Sequence, residues 1–208
     1  LYPKDRAGTR KLPLVGAAYG LRAADRLGGS VGHAGDQALS CGPRIGYNGR
    51  YMNTSHRTSL KFPKLVDLLA GRSRLLIVLQ DNPDPDAIAA AAALRRLVNT
   101  LAELRCSIAH GGTIGRGENR ALVRYLDLNL HDPAKVGFDQ FDLVALVDAQ
   151  PGAGNTSLPS QVTPDIVIDH HPCRRSTRQV RFSDVRRDYG ATCTILWEYL
   201  VKAQITPD

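Results

Sequence analysis

The sequence predicts an α/β fold with a mainly parallel sheet and flanking helices, preceded by an irregular N-terminal segment. Three observations lead there. Short unbroken apolar runs, the pattern of strands buried on both faces, recur from residue 61 onward. Helical patterns alternate with those runs, as in βαβ units. Residues 1–60, by contrast, hold more than half of the 19 glycines and keep no sustained period of 2 or 3.6.

Each element has its own signal. Leu65, Val66, Leu68 and Leu69 predict a short amphipathic helix from about Lys61 to Gly71. Leu75–Leu79 reads as a buried strand, followed by a polar loop. An Ala/Leu-rich helix is expected from Pro85 to Leu104, with Pro85 in its first turn and Asp84 as N-cap. Cys106–Ala109 is a second strand, and Glu118–Leu128 a helix after the glycine-rich stretch His110–Gly117. Leu143–Val147 and Ile166–Ile168 are two further strands, and Ala191–Lys202 a closing helix. Trp197 on that helix reads as core, with Leu196 and Leu200. His131 reads as a turn residue before Asp132-Pro133, and Asp184 and Asp188 as loop residues.

Composition narrows the class. The chain has 208 residues, enough for one well-buried domain. No apolar run has the length to cross a bilayer, and no basic start with an apolar stretch marks a secretory signal. The four cysteines form no C-x-x-C pair, which argues against a zinc ribbon or disulfide framework and for a reducing, cytoplasmic setting. Net charge is +7, but residues 1–60 carry nine Lys/Arg against three Asp/Glu, so the excess lies in this basic leader and not in residues 61–208. The chain starts at Leu1 and its only methionine is Met52, the expectation being a fragment or an unusual N-terminal extension.

The acidic residues fall where chemistry is expected. Three apolar strands end in Gln80-Asp81-Asn82-Pro83-Asp84-Pro85-Asp86, in Asp148, and in Asp169-His170-His171. Parallel strands bring these ends to one sheet edge, where ligands of open α/β sheets bind. Carboxylates gathered there repel one another and raise each other's pKa values, and divalent cations relieve that repulsion. Mixed Asp and His donors suit manganese, magnesium, iron or zinc. Two such ions sharing a carboxylate activate water and neutralise a phosphoryl group, an argument for phosphate ester or anhydride hydrolysis. Each residue also has a plainer reading: Asp84 as a helix cap, Asp86 as a charge favoured by the helix dipole, Asp148 as a turn residue. The adjacent histidines after an acidic strand end have no such packing role.

Asn82-Pro83-Asp84-Pro85-Asp86-Ala87, Asp148 and Asp169-His170-His171 together resemble the first three motifs of the DHH phosphoesterase superfamily, over about residues 61–205. That family includes RecJ-like exonucleases and NrnA-like oligoribonucleases and 3′-phosphoadenosine 5′-phosphate phosphatases, and Gly111–Arg116, Asn119-Arg120 and Asp148–Asn155 resemble its NrnA-like or exopolyphosphatase-related subgroup. The resemblance implies a Rossmann-like DHH domain over residues 61–208 with two divalent metal ions, manganese first and magnesium as the alternative. It implies that Asp84 holds one ion and Asp86 the other, that Asp148 bridges both, and that His170 binds the second. His171 is then catalytic, facing the substrate phosphate or moving a proton. Gln80 stands where the family usually has histidine, so its amide oxygen is the expected ligand. Arg116, His171 and Asn82 are the expected substrate contacts. For Arg116 a surface salt bridge is the competing reading, and for Arg120 pairing with a neighbouring acid. The stretch 111–117 is not a Walker loop. His110, after a strand, is a further candidate for the crevice. The family's fourth motif, an Asp on a later strand, and its C-terminal substrate-binding domain are expected beyond Asp208.

The function so implied is metal-dependent hydrolysis of a short oligonucleotide or small nucleotide phosphate by a metal-activated water. The alternatives are a catalytically impaired nucleotide- or phosphate-binding regulatory module, with Gln80 marking lost chemistry, and a pyrophosphatase- or exopolyphosphatase-like enzyme. A nicotinamide enzyme is disfavoured, since no G-x-G-x-x-G follows the first strand. The sequence leaves the oligomeric state open, a homodimer included.

Overall fold

The computed structural model describes residues 55–206; the rest of the basic leader lies outside them. Helix α1 (His56–Leu69) begins five residues before the expected start. The reason is local: Ser55 Oγ accepts the Thr58 amide and caps the helix. Strand β1 (Arg74–Leu79) follows, then helix α2 (Pro85–Ala102), with Asp84 as its cap through the Ala87 amide at 3.0 Å. Next come strand β2 (Arg105–Ala109), helix α3 (Gly117–Tyr125) and strand β3 (Leu130–His131). Strands β4 (Leu143–Val147), β5 (Ile166–Asp169) and β6 (Phe182–Val185) precede the last helix, α4 (Thr192–Lys202). Among the described residues no helix is long and apolar enough to cross a membrane.

All six strands are parallel, in the order β3-β2-β1-β4-β5-β6. The order reverses between β1 and β4, so the chain leaves their carboxyl ends in opposite directions and opens a crevice between them. Successive side chains of a strand face opposite ways, and β1 divides accordingly. Leu75, Ile77 and Leu79 join the larger core, to which all four helices contribute. Leu76 and Val78 join a smaller one with Val144, Leu146 and Val167, packed by Phe138, Phe141, Leu158 and Val162 from the connections before and after β4. The alanine-rich face of α2 (Ala87, Ala90, Ala91) is fully buried.

Four sequence expectations are corrected. Asp184 is a strand residue in β6 with a fully buried side chain, held by Arg186 at 2.7 Å and Tyr199 Oη at 2.9 Å. His131 is an exposed residue of β3, whose carbonyl accepts the His110 amide. Trp197 is 37 % exposed, because Ile195, Leu196, Tyr199 and Leu200 are the residues of α4 that turn inward. Arg120 pairs with no acid among the described residues: its guanidinium donates to the carbonyls of Ile114 and Gly115. Asp188, read as a loop residue, does lie in an exposed turn.

A buried ionic cluster ties the first and last helices to β6. Arg186, its side chain 1 % exposed, donates to Asp184, Glu198 Oε2 (2.8 Å), Tyr189 Oη and the Ser55 and Thr58 hydroxyls. Burial alone would raise the Glu198 pKa, but hydrogen bonds from Thr58, Tyr189, Arg186 and Ser55 outweigh it and bring the carboxyl down to about 2. At the crevice a second set of contacts locks the loops. Asp81 Oδ1 accepts the Ser157 amide and hydroxyl, both at 2.9 Å, while the Asp81 amide donates to Asn155 O. Gly111 lies under that pair, and a Cβ there would overlap both Ser157 Oγ and Asp81 Oδ1.

Two outcomes follow for stability. Arg186→Met strands two buried carboxylates and is expected to cost about 3–5 kcal/mol in urea unfolding. In wild type the folded Glu198 pKa lies below its ordinary 4.5, so its contribution is complete at neutral pH. It is then lost as pH falls from about 4.5 towards about 2, an acid limb that Glu198→Gln flattens. Gly111→Ala must break the Asp81–Ser157 pair and is expected to cost about 1–3 kcal/mol, read as a lower melting temperature.

Candidate functional site

The carboxyl ends of β1, β4 and β5 deliver Gln80, Asp148 and Asp169 to the crevice, and the first turn of α2 adds Asp86. Asp148 follows β4 directly and has φ +57°, a left-handed conformation that Asp tolerates better than most residues. Its side chain is 1 % exposed. Oδ1 accepts the Thr192 hydroxyl at 2.8 Å, and Oδ2 accepts the Gln80 amide nitrogen at 3.1 Å. Burial pushes the Asp148 carboxyl up to about 6; the Thr192 bond opposes that shift, and the charges of Asp86, Asp84 and Asp169 add to it.

Asp86 is fixed by the opposite end of the domain. Its two oxygens accept the backbone amides of Thr192 (2.7 Å) and Cys193 (2.8 Å), the first two residues of α4. Ala191 at the N-cap of α4 offers no side-chain acceptor, so Asp86 serves as a cap supplied by another helix. An anion at a helix N-terminus also meets a favourable dipole.

The two histidines differ in their supports. His170 Nδ1 lies 3.2 Å from the Tyr189 carbonyl, which can only accept, so this nitrogen carries the proton. In the neutral ring Nε2 is therefore a lone pair, and it faces Asp148 Oδ1 at 3.6 Å and Asp86 Oδ2 at 3.8 Å. Those separations are too long for hydrogen bonds. Each separation lets its pair of atoms share an ion at about 2.1 Å, with His170 Nε2 common to both pairs. His171 Nδ1 bonds to Asp169 Oδ1 at 2.8 Å, a contact that raises the His171 pKa against the opposing effect of burial. Donor atoms of Asp148, His170 and His171 all lie within 4.8 Å of one another.

Asp169 is an organiser more than a rim residue. It is buried, and its Oδ1 also accepts the amides of His170 and His171. Its Oδ2 accepts Gln150 Nε2 at 2.6 Å. Gln150, 2 % exposed, in turn accepts the Arg174 amide and the Thr177 hydroxyl through Oε1, which fixes its orientation. Asp148, Gln150, Asn155, Asp169, His171 and Arg174 line a cavity of about 470 Å³ beside this cluster.

The structure thus brings Asp86, Asp148, His170 and His171 together. Gln80 turns its nitrogen to Asp148, and its Oε1 accepts Asn155 Nδ2 at 3.3 Å. Asp84 is exposed, with one oxygen committed to the α2 cap. Asn82 and Arg116 line a second cavity of about 460 Å³ that also includes Asp84. Asn82, at φ +55°, commits its Oδ1 to the Thr113 amide and so braces the two loops. His110 keeps its Nδ1 against the Gly111 carbonyl and contributes to no ligand cluster among the described residues. Sequence reading missed Thr192, Gln150 and the Tyr189 carbonyl. Thr192 left a trace as a hydroxyl residue at the start of a predicted helix, and Gln150 as a member of the stretch Asp148–Asn155.

Known proteins resemble this chain in structure and in sequence. The solved structure of an exopolyphosphatase-related protein from Bacteroides fragilis aligns with a TM-score of 0.45 and 10% identity, covering 69% of this chain and 44% of that one. The uncharacterized protein MJ1633 of Methanocaldococcus jannaschii is 37% identical over 140 residues, 65% of this chain and 27% of that protein. The chain therefore spans about a quarter of the length of this curated relative. The N-terminal domain of the DHH family matches residues 74–207, and the chain belongs to that family.

Proposed function

We propose that this chain carries the metal-binding half of a phosphoesterase that hydrolyses short oligonucleotides or small nucleotide phosphates with two divalent cations, manganese foremost. The observation that carries the reading is the approach of Asp148 and Asp86 to His170 Nε2, at 3.6 and 3.8 Å, with the donor atoms of each residue oriented by a further group. The donor set is carboxylate and imidazole, with no thiolate, and fits manganese or magnesium. Asp86, Asp148 and His170 would hold one ion. Asp84, Asp148 and the Gln80 amide, once turned to present its oxygen, would hold the other. Bound there, the ions supply neutralisation of phosphoryl charge and a lower pKa for the attacking water.

The chain's own residues do the rest. Asp148, held at both oxygens by Thr192 and Gln80, would be the residue common to the two ions. Tyr189 fixes the His170 tautomer through its carbonyl, a support of the kind that usually tunes a metal ligand. His171, anchored by Asp169, presents its Nε2 edge to a phosphoryl oxygen or to the leaving group, and Arg116 offers a planar cation to phosphate. In the overall reaction water oxygen bonds to phosphorus, the ester P–O bond breaks, His171 gives the leaving oxygen a proton, and the proton shed by the attacking water restores His171. A cytoplasmic setting and a nucleotide partner belong to the same proposal.

A non-catalytic phosphate-binding module is the second reading, and Gln80 favours it: its amide nitrogen occupies the Asp148 oxygen that a second ion would use. Hydrolysis assays on bis(p-nitrophenyl) phosphate and a 5′-phosphorylated dinucleotide separate the two. An enzyme is expected to lose activity in EDTA, regain it with manganese, and fall about 100-fold or more in Asp148→Asn. Gln80→His is expected to raise the manganese-dependent rate. No hydrolysis by either protein, with phosphate binding retained, would favour the module.

A further inference from the structure

The cavity beside the carboxylate cluster contains an arginine that the fold anchors at one end only. Arg174 lines the same space of about 470 Å³ as Asp148, Asp169 and His171. Its Nη1 donates to the Gly152 carbonyl at 3.1 Å. Among the described residues the guanidinium has no other partner and forms no salt bridge, although two carboxylates share its cavity. The Nε and Nη2 N–H groups, which run parallel along one edge of a guanidinium, are left for something outside the fold.

The backbone on either side is built to hold that edge in place. The Arg174 amide donates to Oε1 of the buried Gln150 at 2.8 Å, and the Thr177 hydroxyl donates to the same atom at 2.7 Å. Ser176 Oγ donates to the Pro151 carbonyl at 2.5 Å. Segments 150–155 and 172–177 are thus laced together, and the Arg174 side chain crosses between them to reach Gly152. A side chain fixed in advance loses less freedom when a ligand arrives. Arg116 lacks such an anchor: no hydrogen bond or salt bridge holds its side chain among the described residues. Two parallel N–H donors match two oxygens of a phosphoryl group, a fit that the point charge of a lysine does not reproduce.

We propose that Arg174 is the phosphate-binding residue of this site, its Nε–Nη2 edge gripping two phosphoryl oxygens in the cavity it shares with His171. The proposal rests on the phosphoesterase reading and deepens it, because it names the side chain that orients the phosphate. The ligand so recognised is a phosphate ester, or the free phosphate that its hydrolysis releases.

NMR titration of the full chain in magnesium buffer tests it, with methyl phosphate as the probe and the Arg174 Nε–H resonance as the first readout. In wild type that resonance is expected to shift as methyl phosphate saturates. Arg174→Ala is expected to weaken methyl phosphate about tenfold or more, the loss of a charge-assisted hydrogen bond. Arg174→Lys restores charge without the fork and is expected to recover only part of that loss. Arg116→Ala is expected to cost less than Arg174→Ala. The Arg174 side chain is exposed and its backbone amide keeps Gln150 in every variant, so melting temperature and magnesium affinity are expected to stay close to wild type. An Arg174 resonance that does not move, undiminished binding in Arg174→Ala, full recovery in Arg174→Lys, or a larger loss in Arg116→Ala would overturn the proposal. The wild-type resonance needs no variant, so it decides the matter even where a substitution disturbs the fold. Methyl phosphate held by Arg174 in a protein that hydrolyses no phosphate ester would keep the binding residue and remove the phosphoesterase reading instead.

Discussion

Crowding of carboxylates at one edge of a parallel sheet is the constraint on which the rest of this structure depends. Parallel pairing brings the ends of β1, β4 and β5 side by side, and each end carries acid. Burial and the charges of Asp86, Asp84 and Asp169 hold the Asp148 carboxyl at about 6. The fold tolerates that concentration because α4 meets it with donors. The Thr192 and Cys193 amides bind Asp86, and the Thr192 hydroxyl binds Asp148. The same helix carries Glu198, which is joined through Arg186 to β6 and to the cap of α1. Stability and site geometry therefore share one element, the last helix.

Backbone conformation is adjusted at the same edge. Asn82 and Asp148 both adopt positive φ where the chain leaves a strand, and Gly112 does so opposite Asn82. Asn and Asp are strained less by this than branched residues are. Strained positions that cluster at a site persist when surrounding contacts over-determine them. Here the supports are visible: Asn82 bonds to Thr113, and Asp148 is held at both oxygens. Gly111 completes the brace by leaving room for the Asp81–Ser157 pair.

Much of this was legible in the sequence. The apolar runs of β1, β4 and β5 announced a buried parallel sheet, and the acids after them announced its functional edge. Asp84 was readable as the α2 cap from its place before Pro85. β6 was not legible, because Asp184 breaks its apolar pattern and makes sense only once Arg186 and Tyr199 are found around it. β3 is two residues long, too short for any period to register. Gln150 and Thr192 act through partners 19 and 44 positions away, and no local spacing encodes such contacts. Trp197 was misread because the inward face of α4 is set by its crossing over α2 and the sheet, not by apolar character alone.

The proposal most in need of a test is that Asp86, Asp148 and His170 would hold one cation. Diffraction from manganese-soaked crystals, recorded on both sides of the manganese absorption edge, tests it most directly. The account predicts an anomalous peak within coordination distance of Asp86 Oδ2, Asp148 Oδ1 and His170 Nε2, at about 2.0–2.3 Å from each. Crystals that take up manganese only at other positions, with these three side chains unmoved, would contradict it.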